Sequence, residues 1–264
     1  MQRYIRLIGM FMRASVQQET AYRANFFIAI LHASLNLGTG VLGTAVLFEQ
    51  VDSIHGWDFA STLVVLGIFL TVGALRDLFI SPSLEALAGM EGEIWTGRFD
   101  FTLLRPVDVQ FYATFQRWRV FALLNVALGA GVLVVGILEM STSVSIRNLL
   151  SFVIALSAGI GVFYAILLGF TALVFWSPGF LFTWVFDGLF QMARYPVKLY
   201  PGWLRLVLTW IIPVGLITTV PAQALTGDLG ISLLVGSVAL AGGLFAAASL
   251  LFRTGLRRYA SASS

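Results

Sequence analysis

Apolar residues in this chain come in long runs. They do not show the short alternations of strands or the one-sided stripes of soluble helices. A helix needs about 20 apolar residues to cross the ~30 Å hydrocarbon core of a bilayer. Runs of that kind predict membrane helices at residues 25–48, 59–80, 120–138, 148–176, 204–224 and 229–252. Polar residues collect between them. The intervals are a short acidic loop at 49–58, a short loop at 139–147, the turn Thr226-Gly227-Asp228, and one long polar stretch at 81–119. The pattern predicts an all-α integral membrane protein with six transmembrane helices and a cytosolic loop between spans two and three.

The ends and one interior stretch fit this pattern less simply. At the N-terminus, Arg6 and Arg13 interrupt an apolar series of Tyr4, Ile5, Leu7, Ile8, Phe11 and Met12, and no small-residue cleavage site follows. That argues against a signal peptide. It suits either an amphipathic helix lying on the inner membrane surface or the basic flank of the first span. Residues 178–195 are aromatic and apolar but are broken by Pro178 and bracketed by Pro196 and Pro201. They read as an interfacial helix anchored by Trp184 and phenylalanines, with a re-entrant segment as the alternative. The fifth span carries Pro213 and Pro221, which membrane helices tolerate when neighbours satisfy the freed carbonyls. The fourth span has Gly159, Gly161 and Gly169, which permit close helix packing. The basic, then small and polar tail from Arg253 reads as disordered.

Composition reinforces the membrane class. The chain is 58% hydrophobic and 11% charged, with a mean hydropathy of +0.90. Soluble domains carry about 25% charged residues. The charges also give a direction. With both termini inside, the inner segments hold Arg3, Arg6, Arg13, Arg23, Arg76, Arg98, Arg105, Arg117, Arg119, Arg194, Lys198, Arg205, Arg253, Arg257 and Arg258, and only Arg147 is outside. This is a strong positive-inside asymmetry. It places the 81–119 loop in the cytosol of a multi-pass protein.

Little in the sequence suggests catalysis. There is no cysteine, and His32 and His55 lack a metal-ligand or HExxH spacing. His32 reads as a packed histidine, because no other ionisable group is evident at mid-membrane depth. Arg76 and Asp77 read as an anchor at the inner interface in preference to a transport site. Asn36, Asn125, Thr171, Thr218 and Thr219 are the remaining polar positions in the spans. A phosphate-binding Walker loop is excluded, because the single lysine, Lys198, is followed by Leu199. If ATP powers this protein, another chain binds the nucleotide and its magnesium, and this chain needs no cofactor or metal. No nucleic-acid partner is expected.

The 81–119 loop mixes Ile94, Trp95, Phe99, Phe101, Leu103 and Leu104 with charges of both signs. A short helix over 84–91 is predicted after a break at Ser81-Pro82, with Ser83 as its cap. Read from composition, the loop is either solvated or a docking element. In the second case apolar knobs fill a partner's groove while charges set the register.

The order of several motifs resembles the permease subunits of type-two ATP-binding-cassette exporters, in their six-span branch. These are Ala21-Tyr22-Arg23-Ala24-Asn25-Phe26, Gly97-Arg98-Phe99-Asp100 before Leu103-Leu104-Arg105-Pro106, Tyr195-Pro196-Val197, Tyr200-Pro201, and Ile212-Pro213-Val214 through Val220-Pro221. The resemblance implies a permease in the bacterial cytoplasmic membrane that pairs with a second copy or a related permease. It also implies a dimer of cytosolic ATPases docked beneath. The coupling element then falls on residues 91–106, with Glu91, Glu93, Gly97, Asp100, Arg105 and Pro106 as the docking residues. The substrate class does not follow from the resemblance. A secondary transporter or channel working without an ATPase, and a membrane scaffold, remain the alternatives.

Overall fold

A computed structural model describes residues 2–21, 23–89, 91–140, 144–177 and 182–259. Pro178, the Trp184 side chain and the last five residues, on which earlier expectations fall, lie outside the described part. Among the described residues the only β-type pairing joins Ile54 to Trp57. The rest is helix and turn.

The chain opens with α1 (Gln2–Thr20) and α2 (Arg23–Phe48). Next come α3 (Phe59–Leu75), a π-helical turn at Arg76–Ile80, and α4 (Ser81–Ala88). Two short helices follow, α5 (Phe99–Leu103) and α6 (Val109–Phe115), and then the long α7 (Ala122–Glu139) and α8 (Ile146–Leu173). Beyond them lie α9 (Phe182–Gln191), α10 (Gly202–Leu206), α11 (Val214–Ile217), α12 (Thr219–Thr226) and α13 (Ile231–Arg258). Local chemistry starts several of them. Asp58 and Ser61 form a reciprocal capping box at α3, with Ser61 N–H on Asp58 Oδ1 at 2.9 Å and Asp58 N–H on Ser61 Oγ at 3.1 Å. Ser145 Oγ accepts from Asn148 N–H at the head of α8 (3.2 Å).

Five helical stretches among the described residues are long and apolar enough to cross a membrane: Ala24–Phe48, Phe59–Ala88, Ala122–Glu139, Ile146–Leu173 and Ile231–Arg258. The second is 30 residues long and does not break at Ser81-Pro82, contrary to the sequence expectation. Pro82 has no N–H, so the Leu78 carbonyl four residues earlier is left open. The chain absorbs this in the π turn, and Arg119 N–H donates to Leu78 O from outside the helix at 2.8 Å. Ser83 is correspondingly not a cap. It is buried, donates to Arg117 O (2.9 Å) and accepts from Arg117 N–H (3.0 Å). The tail expected to be disordered from Arg253 continues α13 as far as Arg258.

Glycines let α3 and α7 run antiparallel at backbone contact. A Cβ on Gly67 would lie 2.5 Å from Leu133 Cα, one on Gly129 2.6 Å from Thr71 N, and one on Gly136 2.8 Å from Val64 N. Gly159 of α8 makes room in the same way for the Leu216–Ile217 backbone. Gly169 has nothing within 4 Å of its Cβ position and plays no such part.

The bundle has two unlike ends. At the turn end, Trp57, Asp58, Met140, Gln223 and Asp228 share one recess. At the loop end, Phe99 packs on Phe175 and Tyr259, just past α8 and α13. This frame corrects the fifth span. Residues 204–224 are not one helix: α10 passes into a π turn at Val207–Ile211, then Pro213 and Thr218 interrupt the rest. Arg205 bonds back to Lys198 O (2.9 Å), and Lys198 lines the turn-end recess with Asp58 and Asp228. Asn148, near the start of α8, bonds to Leu225 O (3.3 Å). Leu216 and Ile217 reach Gly159, roughly 20 Å along α8 from its start at 1.5 Å per residue. Residues 202–226 therefore dip in from the turn end and return to it. The passage from the loop end belongs to α9 and the residues after it. Asp187 meets Arg76, Arg194 meets Asn36 farther along, and Lys198 arrives beside Asp58. Lys198 and Arg205, counted with the inner charges from sequence, sit at the opposite end from the loop. The prolines made this stretch look like a kinked span; the chain uses them to turn back.

Candidate functional site

The residues between α3 and α7 form a braced platform at the loop end. Two backbone bonds stitch the loop onto α4, Glu93 N–H to Ala86 O (2.9 Å) and Ile94 N–H to Leu87 O (3.1 Å). Because α4 continues α3, the platform is the end of a bundle helix and not a free tether. Gly97 takes φ +73°, a left-handed conformation that a Cβ penalises, and this turn leads into α5. Phe99, fully buried, fixes α5 to the bundle between Phe175 and Tyr259, at ring distances of 5.8 and 5.0 Å.

The opposite face of the platform is apolar and bare. Trp95 is 57% exposed, Phe101 68% and Leu104 82%. Arg98 closes one side, donating to Glu91 O (3.0 Å) and Thr96 Oγ1 (3.1 Å). Exposed knobs on a fixed frame are what a docking surface needs, since little ordering entropy is then lost on binding.

The six residues expected to dock do not all face outward. Glu91 is exposed and offers its carbonyl to Arg98. Glu93 turns inward and accepts from Thr102 Oγ1 at 2.6 Å. Gly97 is the turn itself. Asp100 lies beside Tyr259, whose phenol is pushed up by burial and by that carboxylate. Arg105 is exposed but leans on α6, donating to Tyr112 Oη (2.8 Å) with its guanidinium 4.7 Å from the ring centre. Pro106 is exposed, and its carbonyl accepts from Arg3. Thus Glu93, Gly97 and Asp100 shape the platform. Glu91, Arg105 and Pro106 lie on its exposed side with Trp95, Phe101 and Leu104. The apolar knobs were visible in the sequence, but which of them point out was not. Phe99 and Phe101 differ only in the face of a five-residue helix.

The N-terminal helix is clasped to the same region. Tyr4 packs edge-on to Phe111 (4.6 Å) and Phe11 to Tyr112 (5.8 Å). Ser15 Oγ accepts from Trp118 N–H (3.0 Å), and Glu19 Oε2 from Phe121 N–H (3.1 Å). The last contact satisfies an open N–H at the start of α7 and sets a carboxylate on the positive end of its dipole. A surface pair, Arg119 with Glu85 at 2.9 Å, completes the collar.

Sequence reasoning missed a polar cluster inside the bundle. Arg76 and Asp77, read from sequence as an anchor at the inner interface, line a cavity at this level of the bundle. Arg76 points inward to Asp187 of α9 at 2.7 Å, and His32, Asn36 and Asn125 line the same cavity. Asp187 stands in a run of aromatic residues, and no periodic signal in the sequence pairs it with Arg76, 111 positions earlier.

Among the described residues no group of three or more His, Cys, Asp or Glu is placed to hold a metal. No curated protein and no solved structure matches the chain. A family model described as ABC-2 family transporter protein matches residues 34–263. That span takes in all five long helices but the start of α2, together with the platform. The chain accordingly belongs to the ABC-2 transporter family and is a multi-pass membrane permease of that type.

Proposed function

We propose that this chain is the permease subunit of an ATP-driven exporter, and that its platform is the surface on which a cytosolic ATPase docks. The family implies association with such an ATPase. The observation that carries the assignment of the surface is the exposed trio Trp95, Phe101 and Leu104 on a loop stitched to α4 and pinned by Phe99. The loop end then faces the cytosol of a bacterial cell, and α1 lies along the inner membrane surface. Two permeases, either copies or related chains, sit over two ATPases, which bind the ATP and magnesium. Closure of the ATPases pushes on α5, and the rigid α4–α3 connection carries the push into the bundle. Such a device needs two states of the permease pair whose balance the docked subunits bias.

The test is co-expression with an ATP-binding-cassette ATPase from the same genome, followed by purification through the permease. Trp95→Ala and Leu104→Ala are expected to reduce the recovered ATPase at unchanged permease yield. Full recovery with both substitutions combined would refute docking at this surface. The buried charges around Arg76 are a feature that a secondary transporter would also need. Transport that persists with a hydrolysis-dead ATPase would favour that reading.

A further inference from the structure

The polar cavity inside the bundle has a volume of about 420 Å³ and is bounded by α2, α3, α7 and α9. His32, Asn36, Thr39, Asp77, Asn125 and Asp187 supply its polar wall, against an apolar floor that includes Phe69 and Phe190. Asp77 is the 19th residue from the start of α3, roughly 27 Å along it, and His32 is about 14 Å from the start of α2 at the other end. Against a hydrocarbon layer of ~30 Å, these offsets place Asp77 toward the loop-end edge of the spans.

The charges in the wall do not balance. Two carboxylates share one guanidinium. Arg76 Nη2 forms an ion pair with Asp187 Oδ1 at 2.7 Å, and its Nε donates to Ser81 Oγ at 2.8 Å. Asp77 is left 3.8 Å from that same Nε, and its side chain remains 39% exposed, whereas that of Arg76 is 14% exposed. Two further cations lie outside the wall. Arg194 stands behind it on the Asn36 side, bonded to the neutral Asn36 Oδ1 (2.7 Å) and resting over the Phe69 ring. Arg119 is held by Glu85. An incompletely paired carboxylate in a low-dielectric cavity favours a cation strongly and repels an anion. Asn36, Asn125, Thr39 and His32 can accept or donate hydrogen bonds around such a group, and the apolar floor suits a hydrocarbon or aromatic stem. The volume is in the range of small-ligand sites.

We infer that this cavity binds the protonated amine of an amphiphilic or aromatic organic cation, with Asp77 as its counter-ion. Arg76 is the positioning residue, pairing closely with Asp187 (2.7 Å) and only loosely with Asp77 (3.8 Å). The inference deepens the exporter reading, because it assigns that permease's substrate class.

The test uses the full-length permease alone in detergent, so that it does not depend on ATPase docking. Equilibrium dialysis compares three probes of similar shape: 1-naphthylmethylammonium, 1-naphthylmethanol and 1-naphthoate. The cation is expected to bind at least tenfold more tightly than the alcohol, and the anion more weakly than either. Asp77→Asn is expected to abolish the preference for the cation, and Asp77→Glu to retain most of it. Thermal unfolding of each variant checks that it is folded, and the probe series on the unmodified chain needs no variant. Equal affinity for the three probes, a preference for naphthoate, absence of binding, or an unchanged cation preference in a folded Asp77→Asn protein would each overturn the inference. Full ATPase recovery by the combined Trp95→Ala and Leu104→Ala variant, with the cation preference intact, would instead defeat the docking proposal.

Discussion

Phe99 and Phe101 stand two residues apart and are expected to fail in opposite ways when cut to alanine. Phe101 exposes 68% of its surface. A phenylalanine buries on the order of 200 Å², so roughly 130 Å² is available for a partner to cover. At about 25 cal/mol per Å² this is about 3 kcal/mol, and ordering the side chain takes back about 1. The remaining ~2 kcal/mol is roughly 30-fold in the dissociation constant of the ATPase. Phe99 exposes nothing and fills the space between Phe175 and Tyr259. It lies at the end of the bundle beyond the hydrocarbon layer, so the aqueous cost of a Phe→Ala cavity applies, about 3–5 kcal/mol. At a few degrees per kcal/mol, the melting temperature should fall by about 10 °C. The assays are ATPase titration onto immobilised permease and thermal unfolding of the purified permease. Phe101→Ala should weaken binding about 30-fold and leave the melting temperature within a degree or two. Phe99→Ala should lower the melting temperature before any loss of binding is seen. Equal destabilisation by the two, or unaltered ATPase affinity in Phe101→Ala, would refute the assignment of the two faces.

Other consequences follow from close contacts. Gly67→Leu would drive a side chain into the Leu133 backbone, where a Cβ already falls at 2.5 Å. It should separate α3 from α7, lower stability by more than about 3 kcal/mol, and reduce the yield of folded protein in detergent size exclusion. Gly97→Ala forces a Cβ onto φ +73°. It should cost about 1–2 kcal/mol and weaken ATPase binding through the misplaced α5, read as a joint loss in melting temperature and affinity. Ser83→Ala strips both hydrogen bonds from the Arg117 backbone. It should cost about 1–3 kcal/mol in thermal unfolding. Glu85→Gln removes only an exposed ion pair with Arg119 and should shift stability by less than about 1 kcal/mol.

The class of this protein was legible because it depends on composition and run length, which are local quantities. Long apolar runs, the absence of a Walker lysine and the polar interval at 81–119 can all be read without knowing what touches what. The path of residues 182–226 was not legible. An apolar run with Pro213 and Pro221 is compatible with a kinked span or with a re-entrant hairpin. Only the contacts of Lys198 with the Asp58 recess and of Asn148 with Leu225 separate them. Likewise, Pro82 ends a helix by local rules, but Arg119 N–H takes up the freed Leu78 carbonyl from 41 residues away and the helix continues. The same holds for the chemistry. Sequence identified the charged pair Arg76-Asp77 and the lone His32, each cheap to explain by itself. Tertiary structure placed Asp187 and Asn125 around them and left Asp77 short of a partner. Hydrophobic patterning is set by each residue's own transfer energy. Ion pairs, cavities and the outward face of a short helix are set by neighbours that the order of the chain does not name.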